Sequence, residues 1–148
     1  DHPLRGRAAV ANAKLAYQHF LATFAGARWD ALAAKGARVQ RPLWASTSTK
    51  NPAYSPTLYV DTLIGRDTVN TLAQASVDVL EAGEGDLRAE TVVEGIDEAR
   101  ATMSGLAAFG VDFDDVTATL EREGVAAFTA SFEDAVKTLY KKAREVAR

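Results

Sequence analysis

The first part of the chain has apolar residues at every third or fourth position, which is the spacing of one face of an α-helix. The stripe is formed by Val10, Ala13, Tyr17, Leu21 and Phe24. It predicts a helix over residues 5–24, within which His19 is expected to be a packing residue. A second, short helix is predicted over residues 28–35, because Gly36 then provides a typical helix end.

Two short segments further along predict β-strands, at residues 38–46 and 68–72. Pro42 places part of the first strand at a strand start or a sheet edge, because proline has no N–H for the strand ladder. Residues 57–64 contain Thr, Tyr and Val, which favour strands by propensity. Their apolar positions do not alternate, so a short helix is the preferred interpretation. Another helix is predicted over residues 73–82.

The last third of the chain is predicted to be helical. Thr91 and Glu94 have the spacing of a capping box, in which both side chains accept hydrogen bonds from free N–H groups at a helix start. An apolar stripe at helical spacing accompanies this box. It consists of Val92, Ile96, Ala99, Met103 and Leu106.

A further helix is predicted to begin at Asp112, whose side chain can cap it. Asp114 and Asp115 then lie in the first turn, where negative charge suits the helix dipole. This capping role explains the three aspartates more simply than a cation site does. Gly124 is predicted to end that helix, and a final helix is predicted over residues 125–146.

The predicted order is therefore helix, strand, helix, strand and then helices. Two short parallel strands do not make a stable sheet alone, and parallel sheets are covered on both faces. Two interpretations stay open at this point. Either the chain is part of a larger α/β domain, or it is an all-helical domain whose predicted strands are loops.

The chain has 148 residues, of which 47% are hydrophobic and 25% charged, an ordinary composition for a globular domain. Its net charge of −3 disfavours a general role in nucleic-acid binding. The chain has no Cys, which excludes disulfides, thiolate zinc sites and cysteine nucleophiles. Its two His are too few for a multi-histidine metal site, so no metal is expected.

No apolar run approaches the roughly 20 residues of a transmembrane helix. No signal-peptide pattern is found at the first residues. We therefore expect a cytoplasmic protein without a membrane partner. Lys and Arg cluster near the two ends, at residues 5–7 and 137–144, and these clusters are interpreted as solvated helix faces.

One stretch carries the most chemistry. The apolar run Leu43 to Ala45 is followed by four hydroxyl residues, 46–49, and then by Lys50. In α/β enzymes, a polar loop after an apolar strand is the usual place for functional groups. Lys50 is therefore a candidate phosphate ligand or Schiff-base amine, although a loop without a strongly apolar setting does not lower a lysine pKa. An ordinary surface loop remains the alternative.

Five segments together resemble the carboxyl-terminal part of a bacterial transaldolase of the longer actinobacterial type. They are residues 5–17, 38–47, 50–54, 57–60 and 68–71. The most specific signature is Pro-Leu-Trp-Ala-Ser-Thr followed by Lys-Asn-Pro. The similarity extends over nearly the whole chain, although the terminal helices match in pattern more than in residues.

The resemblance implies an α/β fold, namely the carboxyl-terminal part of a (β/α)8 TIM barrel. Residues 38–46 and 68–71 would be the seventh and eighth strands. Residues 1–148 would then form a single partial domain. Within it, residues 1–90 would supply the last helix and strand units of the barrel, and residues 91–148 the carboxyl-terminal helices.

The resemblance also implies an activity. Transaldolases are transferases of the pentose phosphate pathway that move a dihydroxyacetone unit between sugar phosphates through a lysine Schiff base, with no cofactor. The implied substrates are sugar phosphates such as fructose 6-phosphate, sedoheptulose 7-phosphate and erythrose 4-phosphate. The family's catalytic lysine, aspartate and glutamate belong to strands that would precede residue 1. We therefore expect no catalytic residue in this chain and no activity from it alone.

Ser46 and Lys50 match the part of the family that holds the substrate phosphate. Trp44, Ser48 and Asn70 are the other expected pocket-lining residues, although a tryptophan beside Leu43 more often belongs to a core. Barrel enzymes often bind phosphate near strands seven and eight, which agrees.

The chain departs from the family pattern after residue 71, where Leu-Ala-Gln replaces the usual Met-Pro-Glu. A second hypothesis is a catalytically inactive helical module that binds a partner or self-associates. In either case the surface left by the missing strands needs a cover, which is the missing barrel half or another copy of the chain.

Overall fold

The computed structural model describes residues 2–147. The chain divides into two compact units, the first up to Gly105 and the second from Leu106 onward. In chain order, the elements are α1 (Ala8–Thr23), α2 (Ala27–Ala33), β1 (Leu43–Trp44), α3 (Leu58–Asp61), β2 (Val69–Asn70), α4 (Gln74–Glu81), a 3-10 helix (Thr91–Val93), α5 (Ile96–Ala108) and α6 (Phe113–Val146).

The two strands form a parallel pair, with α3 on the connection between them. The register pairs Leu43 with Val69 and Trp44 with Asn70. Each strand has two residues, so the longer strand predicted over 38–46 is wrong in its extent. The physical reason is that a ladder exists only where two backbones lie opposite each other. Among the described residues of the predicted strand outside β1, Pro42 keeps a backbone contact with β2, since its carbonyl oxygen accepts a hydrogen bond of 2.9 Å from the Val69 N–H.

The predicted helices of the first unit are present and slightly shorter than expected. Residues 57–64 contain α3, which confirms the helical interpretation of a segment with strand-favouring residues. The prediction for His19 is wrong, since its side chain is exposed on α1. Its neighbour Tyr17 takes the buried position instead, with 3% exposure.

The core of the first unit is small and centres on Tyr17, Leu63 and Val92. Half-buried side chains from α1, β1 and α3 pack against it, namely Val10, Ala13, Phe20, Trp44 and Tyr59. The Tyr17 hydroxyl donates a hydrogen bond of 3.0 Å to the carbonyl oxygen of Arg66. Burial raises the pKa of this hydroxyl. The polar end of a core aromatic is thus satisfied by backbone.

The 3-10 helix is attached to α1 by a lysine. The Nζ atom of Lys14 donates to the carbonyl oxygens of Thr91, at 2.9 Å, and Glu94, at 2.6 Å. Desolvation by burial lowers the pKa of this ammonium group. The Thr91 carbonyl oxygen also accepts the Glu94 N–H, at 3.2 Å, so the ammonium group uses the second lone pair of that oxygen.

The capping box predicted at Thr91 and Glu94 is wrong. The Thr91 hydroxyl oxygen instead accepts from the backbone N–H of Ile64, at 3.1 Å, and the Glu94 carboxylate pairs with Arg88, at 2.6 Å. The pairing with Arg88 lowers the pKa of Glu94. α5 begins only at Ile96, after both residues. Thr91 is thus engaged by a partner 27 residues away and Glu94 by one six residues away, and neither side chain caps the start of α5.

The second unit contains one long helix where two were predicted. α6 runs for 34 residues and passes through Gly124 without a break. Its start is as predicted, because an Asp112 oxygen accepts from the N–H groups of Asp114, at 3.0 Å, and Asp115, at 3.2 Å. Large apolar side chains of α6 are exposed to solvent. They include Leu120, Phe128, Phe132, Leu139 and Val146.

Replacing Gly124 tests the continuous helix. A Cβ atom added at Gly124 meets nothing within 4 Å, so Gly124→Ala should stabilise α6 by about 1 kcal/mol through helix propensity alone. Urea unfolding followed by far-UV circular dichroism measures this change.

Gly110→Ala provides the matched control. Gly110 is equally free of neighbours but has a φ of +94°, so alanine there should cost about 1 kcal/mol. A loss of stability in Gly124→Ala would show that a helix end, not a helix interior, lies at this glycine.

Candidate binding site

The loop that joins β1 to α3, residues 45–57, carries most of the candidate residues. Ser46 begins its polar part with a φ of +55°, in the left-handed region. For a residue with a side chain, this conformation costs roughly 1–2 kcal/mol and requires support from its surroundings. Such strained positions cluster at functional sites, which makes Ser46 notable independently of any motif.

The next residue, Thr47, links the ends of both strands. Its side chain is 4% exposed, and its Oγ1 donates a hydrogen bond of 2.8 Å to Oδ1 of Asn70, the last residue of β2. Thr47 is one of four consecutive hydroxyl residues, 46–49, and was not among the residues predicted for the site. The usable signal was Asn70, because an amide in a short strand needs a partner.

Lys50 lies near the tip of the loop, where its side chain is exposed. Its Nζ donates a hydrogen bond of 2.5 Å to the Ser48 hydroxyl oxygen. The structure therefore brings these two predicted residues into direct contact. An ammonium group beside a hydroxyl group is a suitable pair for binding the oxygens of an anion.

An open cavity of about 650 Å³ lies between this loop and α1. Four of the five predicted residues line it, namely Trp44, Ser46, Ser48 and Lys50. Asn70 is not in the lining and reaches the cavity only through its hydrogen bond with Thr47.

Trp44 serves both the cavity and the core. Its indole Nε1–H donates a hydrogen bond of 3.0 Å to the carbonyl oxygen of Leu63, and its ring packs against the core cluster. The hydrogen bond and the core contact thus fix the indole ring, while Trp44 still lines the cavity. The opposite wall comes from α1. It consists of Ala9, Asn12, Ala13 and Ala16.

The charge of the lining is the property that decides its ligand class. Among the described residues, Lys50 is the one charged side chain on this cavity, and no carboxylate shares the lining. The chain as a whole has a net charge of −3, so the positive charge of the lining is opposite in sign to that of the whole chain. A lone ammonium with several hydroxyl groups favours an anionic, oxygen-rich ligand.

Within residues 2–147, no group of three or more His, Asp or Glu side chains is arranged to hold a metal ion. In the same range, none of the helices combines the length and the apolar character needed to cross a bilayer.

Comparison with known proteins identifies the family. The family model described as transaldolase/fructose-6-phosphate aldolase matches residues 2–139. The chain belongs to the transaldolase/fructose-6-phosphate aldolase family. The match includes the whole of the β1–α3 loop and both strands.

Three relatives show the same relationship. A transaldolase of Acidothermus cellulolyticus is 51% identical over 119 residues, which are 80% of this chain and 32% of the relative. A transaldolase of Frankia alni is 50% identical over 120 residues, 81% of this chain and 32% of the relative. Transaldolase 1 of Streptomyces avermitilis is 48% identical over 120 residues, with the same two shares. The chain thus spans about a third of the length of these relatives.

Replacing Ser46 tests the strain in this loop. Ser46→Gly should stabilise the chain by about 0.5–1 kcal/mol, because glycine adopts a positive φ without the clash that a Cβ atom causes. The change in the free energy of unfolding in urea measures the effect.

Ser48→Gly is the paired control. Ser48 has no positive φ and accepts the Lys50 hydrogen bond, so glycine there should destabilise the chain by about 0.5–1 kcal/mol. Equal losses in both variants would contradict the assignment of strain to Ser46.

Proposed function

We propose that this chain forms the phosphate-binding part of a transaldolase, an enzyme that transfers a dihydroxyacetone unit between sugar phosphates in the pentose phosphate pathway. The observation that carries the proposal is the cavity lining, in which Lys50 is the one charge among the described residues, contacts the Ser48 hydroxyl group and shares the lining with other hydroxyl residues. Family membership supplies the reaction class. Fructose 6-phosphate, sedoheptulose 7-phosphate and erythrose 4-phosphate are the proposed substrates.

Four residues of the loop then have a role in binding phosphate. The Lys50 ammonium group pairs with the phosphate charge, and the Ser46 and Ser48 hydroxyl groups donate hydrogen bonds to phosphate oxygens. Thr47 holds the loop against Asn70, so that Ser46 keeps its strained conformation. Holding the phosphate in this way orients the reacting carbons of the sugar without any direct part in bond making.

The Schiff-base lysine is proposed to lie outside this chain. Lys50 lies exposed on a polar loop beside the Ser48 hydroxyl group, whereas a lysine amine that attacks a carbonyl is usually held in an apolar pocket that lowers its pKa. Lys14 has the lowered pKa expected of such an amine. However, its Nζ donates to two carbonyl oxygens and lies away from the cavity lining, so we assign it a structural role.

The exposure of an apolar side chain on β1 supports a partial barrel. β1 pairs with β2 on one edge, and Leu43 is 52% exposed. An apolar side chain on a parallel strand is normally covered, since parallel sheets are buried on both faces. We propose that strands of the same TIM barrel, absent from these 148 residues, cover it. The working enzyme is then a transferase that needs no cofactor and acts in the cytoplasm.

A second candidate is a helical interaction module without catalysis. The exposed apolar side chains of α6, such as Phe128 with 81% and Phe132 with 71% exposure, favour it. In that case a partner or a second copy of the chain covers them. Two measurements distinguish the candidates. Analytical ultracentrifugation of the isolated chain should show self-association for the module. An activity assay should show activity for the enzyme fragment only when the rest of the barrel is added.

Replacing Lys50 tests the phosphate role in a full-length protein. This chain replaces the segment that it matches in the Acidothermus transaldolase, and Lys50→Ala is introduced into the chimera. KM for fructose 6-phosphate should rise about tenfold or more, because a hydrogen bond from a charged group contributes about 1.5–3 kcal/mol, while kcat changes little.

Lys35→Ala is the matched control, since Lys35 is exposed and lies outside the cavity lining. An unchanged KM in Lys50→Ala would refute the phosphate role.

The location of the Schiff-base lysine is tested by trapping. Incubation of the isolated chain with fructose 6-phosphate and borohydride should give no covalent adduct in the mass spectrum, because Lys50 is proposed to bind phosphate and Lys14 donates to two carbonyl oxygens outside the cavity lining. The Acidothermus transaldolase serves as the positive control. A substrate-dependent adduct on any lysine of this chain would contradict the assignment.

A further inference from the structure

Asp61, at the end of α3, lies outside the cavity lining but contacts the β1–α3 loop. Its Oδ2 atom accepts a hydrogen bond of 2.6 Å from Oγ1 of Thr57, whose side chain is 2% exposed. An ionised carboxylate only accepts hydrogen bonds. The single hydroxyl hydrogen of Thr57 is therefore directed at Asp61.

This direction determines the next contact along the chain. Oγ of Ser55 lies 3.0 Å from Oγ1 of Thr57. Since the Thr57 hydrogen is used by Asp61, Ser55 is the donor in this pair. The Thr57 backbone N–H donates to the same Ser55 Oγ at 3.3 Å. Two hydrogen bonds thus join Ser55 to the buried threonine.

Ser55 continues the connection to the binding residues. Its carbonyl oxygen accepts a hydrogen bond of 3.1 Å from Oγ1 of Thr49. Thr49 is the residue between Ser48 and Lys50, which are in mutual contact. A continuous series of contacts therefore runs from the Asp61 carboxylate to the proposed phosphate ligands.

The second oxygen of Asp61 holds another segment. Oδ1 accepts a hydrogen bond of 3.1 Å from the backbone N–H of Asp86. Beside it, Gly85 has a φ of +122°, and a Cβ atom there would lie 3.2 Å from this oxygen. A side chain at Gly85 would therefore crowd the carboxylate, and the positive φ favours glycine there independently. Asp61 is the point where both this segment and the β1–α3 loop are fixed to α3.

We propose that Asp61 is a positioning residue for substrate phosphate: it holds the β1–α3 loop through Thr57, Ser55 and Thr49, so that Ser48 and Lys50 are preorganised. This proposal rests on the proposed function of the loop. It predicts that Asp61 affects substrate affinity although it does not touch the substrate. Preorganisation lowers KM because less ordering remains to be done on binding.

Asp61→Ala is the test, with two independent readouts. In the isolated chain, amide hydrogen exchange of the peptide covering residues 46–55 should become about fivefold faster, as expected for the loss of one hydrogen-bonded anchor. In the chimera with the Acidothermus transaldolase, KM for fructose 6-phosphate should rise about three- to tenfold, with kcat within about twofold.

Two variants sharpen the result. Asp61→Asn keeps the shape and offers its N–H group to Thr57 and its oxygen to Asp86, so it should restore part of the affinity with the proton order reversed. Asp78→Ala is the matched control, because Asp78 is another helical aspartate that accepts one hydrogen bond, from Gln74 at 2.8 Å. It should change neither readout.

The two readouts separate the hypotheses. Faster exchange together with a raised KM supports the proposal. Unchanged exchange in Asp61→Ala overturns it, whatever the kinetics show. Faster exchange with an unchanged KM overturns it as well, and Lys50→Ala then decides whether the phosphate role of the loop also fails. A double-mutant cycle with Thr49→Val should give less than additive effects on KM, because both changes break one series of contacts.

Discussion

The parallel pairing of β1 with β2 is the constraint on which the first unit depends. Parallel strands end at the same edge, so the residues after Trp44 and after Asn70 are brought together there. The Thr47–Asn70 hydrogen bond is a direct consequence, and the strained conformation of Ser46 is supported by it. The pairing also requires a crossover, which α3 provides. These four paired residues therefore place the loop and the site, and Trp44 connects them to the core.

The cavity lining is unusual for a chain with more carboxylates than cations. Twenty Asp and Glu residues face seventeen Lys and Arg residues in the sequence, yet Lys50 is the one charge on the lining among the described residues. Carboxylates elsewhere lower the local attraction for anions only weakly, because salt screens charges beyond about 10 Å. Specificity for an anion can thus be local. In the proposed arrangement, the Asp61 carboxylate holds the loop through its hydrogen bonds and does not contact the bound phosphate.

Sequence alone predicted what short-range physics determines. The helices of the first unit followed from apolar spacing, and the Asp112 cap from a local side-chain contact. Strand extents did not follow, because a ladder depends on a partner that is distant in sequence. Thr91 failed as a cap for the same reason, since the N–H of Ile64 takes its hydroxyl oxygen. Gly124 failed as a stop because one glycine costs only about 1 kcal/mol, which a 34-residue helix tolerates. Lys50 was selected from its place in a polar loop after an apolar run, and the resemblance gave it and Ser46 a phosphate role that stays a prediction. The buried contact of Thr47 with Asn70 required the structure.

The Lys14 contact with the 3-10 helix has a consequence for synthesis on the ribosome. It joins residues that are 77 positions apart in the chain. At about 5–20 residues per second, roughly 4–15 s separate the emergence of α1 from that of Thr91. Throughout this interval Tyr17 lacks its contact with Val92. For most of it, Tyr17 also lacks the Arg66 carbonyl group. In the nascent chain, the apolar face of α1 therefore lacks these two partners until the later residues have been synthesised.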